Sequence, residues 1–150
     1  MKKLMIGLIV TTNCIFAGIQ DDKFNYKEFD KIPRIEFAKV MAREMAQSMS
    51  LPMKIDNSTN LIAIYSFDTT ICITKKIIMQ NPKVKKLWIQ KKKIFINLML
   101  KQDAQNTCYN PMWKYMIYKR NIIPEFNYVD KNNKPLFKYT IEIEDCNKLK

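Results

Sequence analysis

The alternation near the C-terminal end constrains the fold more than any other feature of the sequence. Between positions 135 and 145, Phe137, Tyr139, Ile141 and Ile143 fall on one phase of a period of two, and Lys138, Thr140, Glu142 and Glu144 fall on the other. Successive side chains of a strand point to opposite faces, so this segment reads as a strand with one face buried and one wet. A sheet built of such strands needs a covering layer on its apolar side only.

The rest of the chain supplies candidates for that layer and for the other strands. Pro33 opens a helical pattern that runs to about residue 50. Phe37, Met41, Met45 and Met49 recur every four residues with Ala38, Ala42 and Ala46 beside them, while Lys39, Arg43 and Gln47 lie opposite. The methionine stripe reads as core filler in preference to a soft binding groove, and Pro52 prevents the helix from continuing. Asn57-Ser58-Thr59-Asn60 is turn chemistry and spells a glycosylation acceptor pattern at Asn57. Residues 61–67 and 69–79 read as two strands, turning near Asp68.

Asn81 and Pro82 then supply a cap and an N1 proline. Val84, Leu87, Trp88, Phe95, Leu98 and Met99 keep helical spacing, which predicts one helix to about Asn106. A strand over 94–100, apolar on both phases, is the alternative. Asn110-Pro111 repeats the cap signal before a short helix over 112–119, and Asn121 suits the left-handed stop after it. Residues 122–129 form a strand, and Asp130-Lys131-Asn132-Asn133 a hairpin turn. The order is therefore α-β-β-α-α-β-β. The expected fold is α+β: an antiparallel sheet of about four strands with helices packed on one face.

The N-terminus carries an export pattern. Lys2 and Lys3 precede an uncharged apolar run over 4–10, and Cys14-Ile15-Phe16-Ala17 resumes it. Ile15 and Ala17 would occupy the −3 and −1 sites of a signal peptidase, with Gly18 as the first mature residue. The run falls short of the ~20 residues of a comfortable span. Residues 1–17 are expected to be a cleaved signal peptide, with an uncleaved anchor as the alternative. Thr11-Thr12-Asn13 is a poor lead-in to a lipid-modified Cys14. Residues 18–32 read as a loosely packed arm and 33–150 as one domain, with no linker or repeat dividing it. The expected location is periplasmic or secreted, with no transmembrane span left after cleavage.

Three cysteines remain after the signal, an odd number in an oxidising compartment. Cys72 lies in Thr70-Ile71-Cys72-Ile73-Thr74 and looks like a buried small hydrophobe. Cys108 precedes the short helix and Cys146 ends the last strand, so these two are paired. The loop of about 39 residues would add roughly 4 kcal/mol by chain entropy.

Two stretches carry a resemblance. The first is Leu51-Pro52, then Ile55-Asp56, then Thr59-Asn60-Leu61. The second is Cys108, a short helix, Ile122-Ile123, Phe126-Asn127-Tyr128, the 130–134 turn and Asp145-Cys146. Over about 36–146 the chain resembles a family of small exported bacterial proteins with a helix–hairpin unit bridged between its two cysteines. Asn121 and Asn133 stand where that family has glycine, and asparagine tolerates the left-handed region. The resemblance implies export, the disulfide and the fold; it carries no activity.

The composition excludes much chemistry. The chain has no histidine, which removes the usual Ser-His-Asp and Cys-His arrangements. Three dispersed cysteines without histidine do not make a zinc shell, so no metal is expected. With two glycines there is no Gly-rich phosphate loop, and no cofactor is expected. Glu142 and Glu144 lie on the wet face of a strand and Asp145 points away, so they form no catalytic pair. No catalytic residue is assigned, and the chain reads as a non-enzyme.

The net charge is +12, which favours anionic partners, although a lysine- and isoleucine-rich composition also gives a merely solvated basic surface. The candidate binding surface is Lys85, Lys86, Lys91, Lys92 and Lys93 around Trp88, with a second aromatic group of Trp113, Tyr115 and Tyr118. An envelope protein or an anionic lipid or glycan surface fits the compartment better than nucleic acid does. The expected function is an exported binding or accessory module, inhibitor- or immunity-like. The alternative is an envelope structural protein or a component of a secretion or conjugation apparatus.

Overall fold

The computed structural model describes residues 29–149. The expected signal segment and most of the expected arm lie outside the described residues. Helix α1 (Arg34–Ser48) starts after Pro33 and buries Phe37, Ala38, Met41, Ala42 and Met45, the apolar stripe read from the sequence. It packs across strands β2 (Thr59–Phe67) and β3 (Thr70–Ile77). The last residues of the expected arm are held against this layer. Phe29 meets the Phe37 ring edge-on at 5.7 Å, and Arg120 donates to the carbonyls of Asp30 and Ile32.

The sheet has five strands in the order β1-β2-β3-β4-β5. β1 (Met53–Lys54) is a two-residue edge strand, too short to show a period. β4 (Ile123–Val129) and β5 (Pro135–Thr140) form the C-terminal hairpin. The pairs β1–β2, β2–β3 and β4–β5 are antiparallel. β3 and β4 are parallel, from Thr70↔Ile123 to Lys76↔Val129. The all-antiparallel expectation is corrected at this one junction. The reason is the long helical connection between these strands, which carries the chain back to the starting edge of the sheet. Asn121 and Asn133, expected in the left-handed region, have φ of 52° and 62°, and Asp68, at the expected β2–β3 turn, has φ of 54°. Asp130 fixes the β4–β5 turn by accepting at Oδ1 from the backbone N–H of Asn132 and Lys134.

The connection is two helices, not one. α2 (Pro82–Gln90) and α3 (Lys92–Tyr109) meet at Lys91, whose φ and ψ of −140° and 47° break the helix. Nothing in the periodicity marks this elbow, because Leu87, Trp88, Phe95 and Met99 stay in phase for a continuous helix. The break allows Trp88 to stack on Phe137 at 5.8 Å and meet Phe95 edge-on at 5.7 Å. Asn110 caps α4 (Pro111–Lys114) by accepting from the Trp113 N–H, and a π-helical turn over Tyr115–Lys119 follows.

The C-terminal strand is shorter than its alternation. It ends at Thr140, and helix α5 (Ile143–Asn147) follows. Ile141 still bonds to the Pro124 carbonyl and is buried. Then the Asp145 carboxylate accepts from the Glu142 N–H at 3.1 Å and starts the helix. Cys146 therefore sits on a helix and not at a strand end as the sequence suggested, while Cys108, just before the short helix as expected, lies in the last turn of α3. The two are bridged, with Cα atoms 5.2 Å apart. A continuing strand would have stayed in the plane of the sheet, whereas α5 lifts Cys146 to the helical layer.

The bridge closes a span of 38 residues, long enough for a sizeable effect on the unfolded chain. Replacing both cysteines (Cys108→Ser with Cys146→Ser) should lower stability in urea by about 2–4 kcal/mol. Reducing agent should lower the wild-type chain equally and leave the double variant unchanged. An unshifted midpoint would show that the bridge adds nothing.

Candidate functional site

The inward phase of β3 is Ile71, Ile73, Lys75 and Ile77, and all four are buried. A lysine on an apolar phase requires a partner, and α3 provides it. Asp103 lies one turn beyond Met99 on the buried stripe of that helix. Lys75 Nζ donates to Asp103 Oδ1 at 2.5 Å. Tyr128 and Tyr139 donate their hydroxyls to Asp103 Oδ2 at 2.7 and 2.8 Å. The ammonium also lies 4.9 Å from the Phe126 ring centre. One carboxylate on one helix thus binds β3, β4 and β5. Burial, then the Asp103 charge, pushes both tyrosine hydroxyls well above their ordinary range. They remain neutral donors.

This cluster has the residue types of an acid–base site but not its access. Lys75, Asp103 and Tyr128 are buried, and both carboxylate oxygens are occupied by internal donors. The arrangement is a clasp between the helical layer and the sheet. The sequence reading missed it. Its signal was present, however: one basic and one acidic residue, each on the apolar phase of its own element.

The opposite face of the sheet carries a polar row. Tyr65, Cys72 and Glu125 are register neighbours across β2, β3 and β4. Glu125 accepts from Asn127 at 3.0 Å and from Lys138 at 3.4 Å, and the Cys72 sulfur lies 3.8 Å from its Oε1. Burial, then Glu125, raises the Cys72 thiol, so it stays protonated and unreactive. The sequence placed Cys72 among apolar neighbours. The thiol is indeed buried, but its side chain belongs to this polar row and not to the core cluster. Tyr65 and Phe67 on the same phase are 50% and 75% exposed.

The lysines singled out in the sequence, Lys85, Lys86, Lys91, Lys92 and Lys93, are all exposed along α2, the elbow and the start of α3. Lys92 lies over the Trp88 ring at 4.7 Å. The aromatic group is not a docking set. Trp113 is fully buried in the core. Tyr115 is half-buried and donates to Asp30 at 2.6 Å. Tyr118 remains exposed and donates to Asn147. Among the described residues no group of His, Cys, Asp and Glu is placed to hold a metal ion, and no helix is long and apolar enough to cross a membrane.

No protein-family model and no curated protein matches the sequence. Solved structures do match the fold. A protein described as secreted, from Pseudomonas aeruginosa, superposes with a TM-score of 0.56 at 11% identity, covering 77% of this chain and 97% of its own. The type 2 secretion system pilotin EpsS of Vibrio vulnificus gives 0.57 at 10% identity, covering 75% and 94%. The type II secretion system pilotin AspS of Vibrio cholerae gives 0.58 at 11% identity, covering 81% and 100%. At these identities the likeness is one of fold.

Two measurements test the clasp. Asp103→Ala strands a buried ammonium and two hydroxyls, and should cost about 3–5 kcal/mol in urea. Lys138→Ala, which breaks only the exposed pair with Glu125, should cost less than about 1 kcal/mol. The raised tyrosines also set a pH dependence. The folded state holds their protons more tightly than the unfolded chain. Their stabilisation is therefore complete below the unfolded tyrosine value of about 10 and is lost as pH rises above it. Stability should fall as pH rises from about 10 upward, and less steeply in Tyr128→Phe with Tyr139→Phe. An equal slope in that variant would remove these hydroxyls from the account.

Proposed function

We propose that this chain is a non-enzymatic accessory component of a bacterial secretion apparatus, exported to the envelope and acting there by binding an envelope protein. The observation that carries this reading is the likeness of fold to two type II secretion pilotins, which this chain matches over nearly the whole length of each. Between the two readings drawn from the sequence, it favours the apparatus component over the inhibitor- or immunity-like module. The export pattern of residues 1–17 and the stapling disulfide are in keeping with it. The chemistry of the site supports a binding role as well. The acid–base residues are enclosed in a clasp, Cys72 is held as a thiol, and Glu142 and Glu144 stand exposed at the start of a short helix.

Fractionation of the encoding bacterium tests the reading. The tagged full chain should run in a high-mass membrane-associated complex, and deleting its gene should lower the secreted proteins in the medium several-fold while they accumulate in the periplasm. A free soluble monomer, together with unchanged secretion in the deletion strain, would refute it.

A further inference from the structure

The charge of this protein is unevenly distributed. Between Thr69 and Gln102 there are nine lysines and no aspartate or glutamate. Seven of these lysines lie on α2, the elbow and α3, from Lys83 to Lys101, and all seven are exposed. None pairs with a carboxylate among the described residues; the ion pairs there belong to Lys39, Arg43, Lys75, Arg120, Lys138 and Lys148. Large aliphatic side chains stand among them. Ile89, at the end of α2, is 67% exposed, and Ile94 and Leu98, one turn apart on α3, are 50% and 36% exposed. The inner sides of the same helices are already used, since Leu87, Trp88, Phe95 and Met99 pack into or against the core.

We propose that the α2–α3 elbow is a membrane-surface contact: its lysines take anionic phospholipid headgroups while Ile89, Ile94 and Leu98 enter the boundary with the acyl chains. Clustered lysines attract an anionic bilayer with additive strength, and interspersed aliphatic groups gain burial there. The residue types separate this occupant from others. The three arginines of the chain, Arg34, Arg43 and Arg120, all lie off the elbow, so the forked donors that read bases or anchor protein interfaces are missing from it. Trp88 is packed against Phe95 and Phe137 and covered by Lys92, so it offers no free face on which a base could stack. Lysine point charges with exposed isoleucines suit a fluid headgroup layer, which demands no fixed geometry. This inference does not depend on the secretion reading.

Co-sedimentation of the full chain with vesicles tests it. The chain should bind vesicles of phosphatidylglycerol and phosphatidylethanolamine, stay in solution with phosphatidylcholine, and be released as salt rises from about 0.05 to 0.5 M. Replacing Lys91, Lys92 and Lys93 together by glutamine should weaken binding at least about tenfold. Ile89→Ser with Ile94→Ser should weaken it several-fold while leaving the salt dependence in place. Melting curves control for folding, and Lys85→Gln with Lys86→Gln gives a second reading of charge on α2 alone. Equal binding to phosphatidylcholine, or binding unchanged by both lysine variants, would overturn the proposal. So would equally tight binding to a short DNA duplex that the isoleucine substitutions do not affect. Loss of vesicle binding in variants that still enter the high-mass complex would separate this contact from the secretion role.

Discussion

A single carboxylate organises this fold. Asp103 projects from the buried side of α3 and is bound by Lys75 from β3, Tyr128 from β4 and Tyr139 from β5. Those strands include the parallel junction, where the chain has left the sheet, crossed it and returned. Hydrophobic contact alone would hold α3 near the sheet without fixing its register along it. A charged pair with two neutral donors does fix it, because sliding the helix by one turn would strand an ammonium, a carboxylate and two hydroxyls in an apolar interior. The disulfide then secures the far end of the same helix, and α5 exists to bring Cys146 to it.

This arrangement determines what the protein can present to a partner. Residues with reactive potential are spent on structure, and the helical layer is anchored through its inner side. What it leaves outward is the lysine-rich elbow, held on helices whose inner rings pack on Phe137, Trp88 stacked and Phe95 edge-on. The other side of the sheet presents Tyr65 and Phe67 beside a hydrogen-bonded polar row. Both surfaces are carried on the packed helix and sheet layers, so their geometry is set by the core beneath them.

The elements with strong local signals were legible from the residues. The four-residue repeat of Phe37, Met41 and Met45 marked α1, and the asparagines at 110, 121 and 133 marked a cap and two left-handed turns. The pairing of Cys108 with Cys146 followed from the setting of Cys72. The failures share a cause, which is that tertiary partners overrode a local pattern. The alternation through Ile143 continued past the true end of β5 because a capped helix and a strand can both place Ile141 and Ile143 inward. The elbow at Lys91 left no mark in the periodicity, and Trp88 gained its stacking partner from a strand about fifty residues away in the chain. The parallel junction was hidden because strand sequences do not encode direction. Trp113 read as a docking ring because its burial depends on how the α3–α4 corner folds over the sheet. The clasp was legible in principle, from a lysine and an aspartate on apolar phases, but its pairing spans three strands and a helix.

Hydrogen exchange of the native chain, resolved by residue, tests the central claim most directly. If Asp103 locks α3 to the sheet, the amides of α3 around Asp103 should exchange with those of β3 and β4 in the slowest cooperative unit, while α2 and the elbow exchange faster. Exchange of that part of α3 at the rate of α2, well ahead of the strands, would show that the helix is not anchored there and would contradict the account.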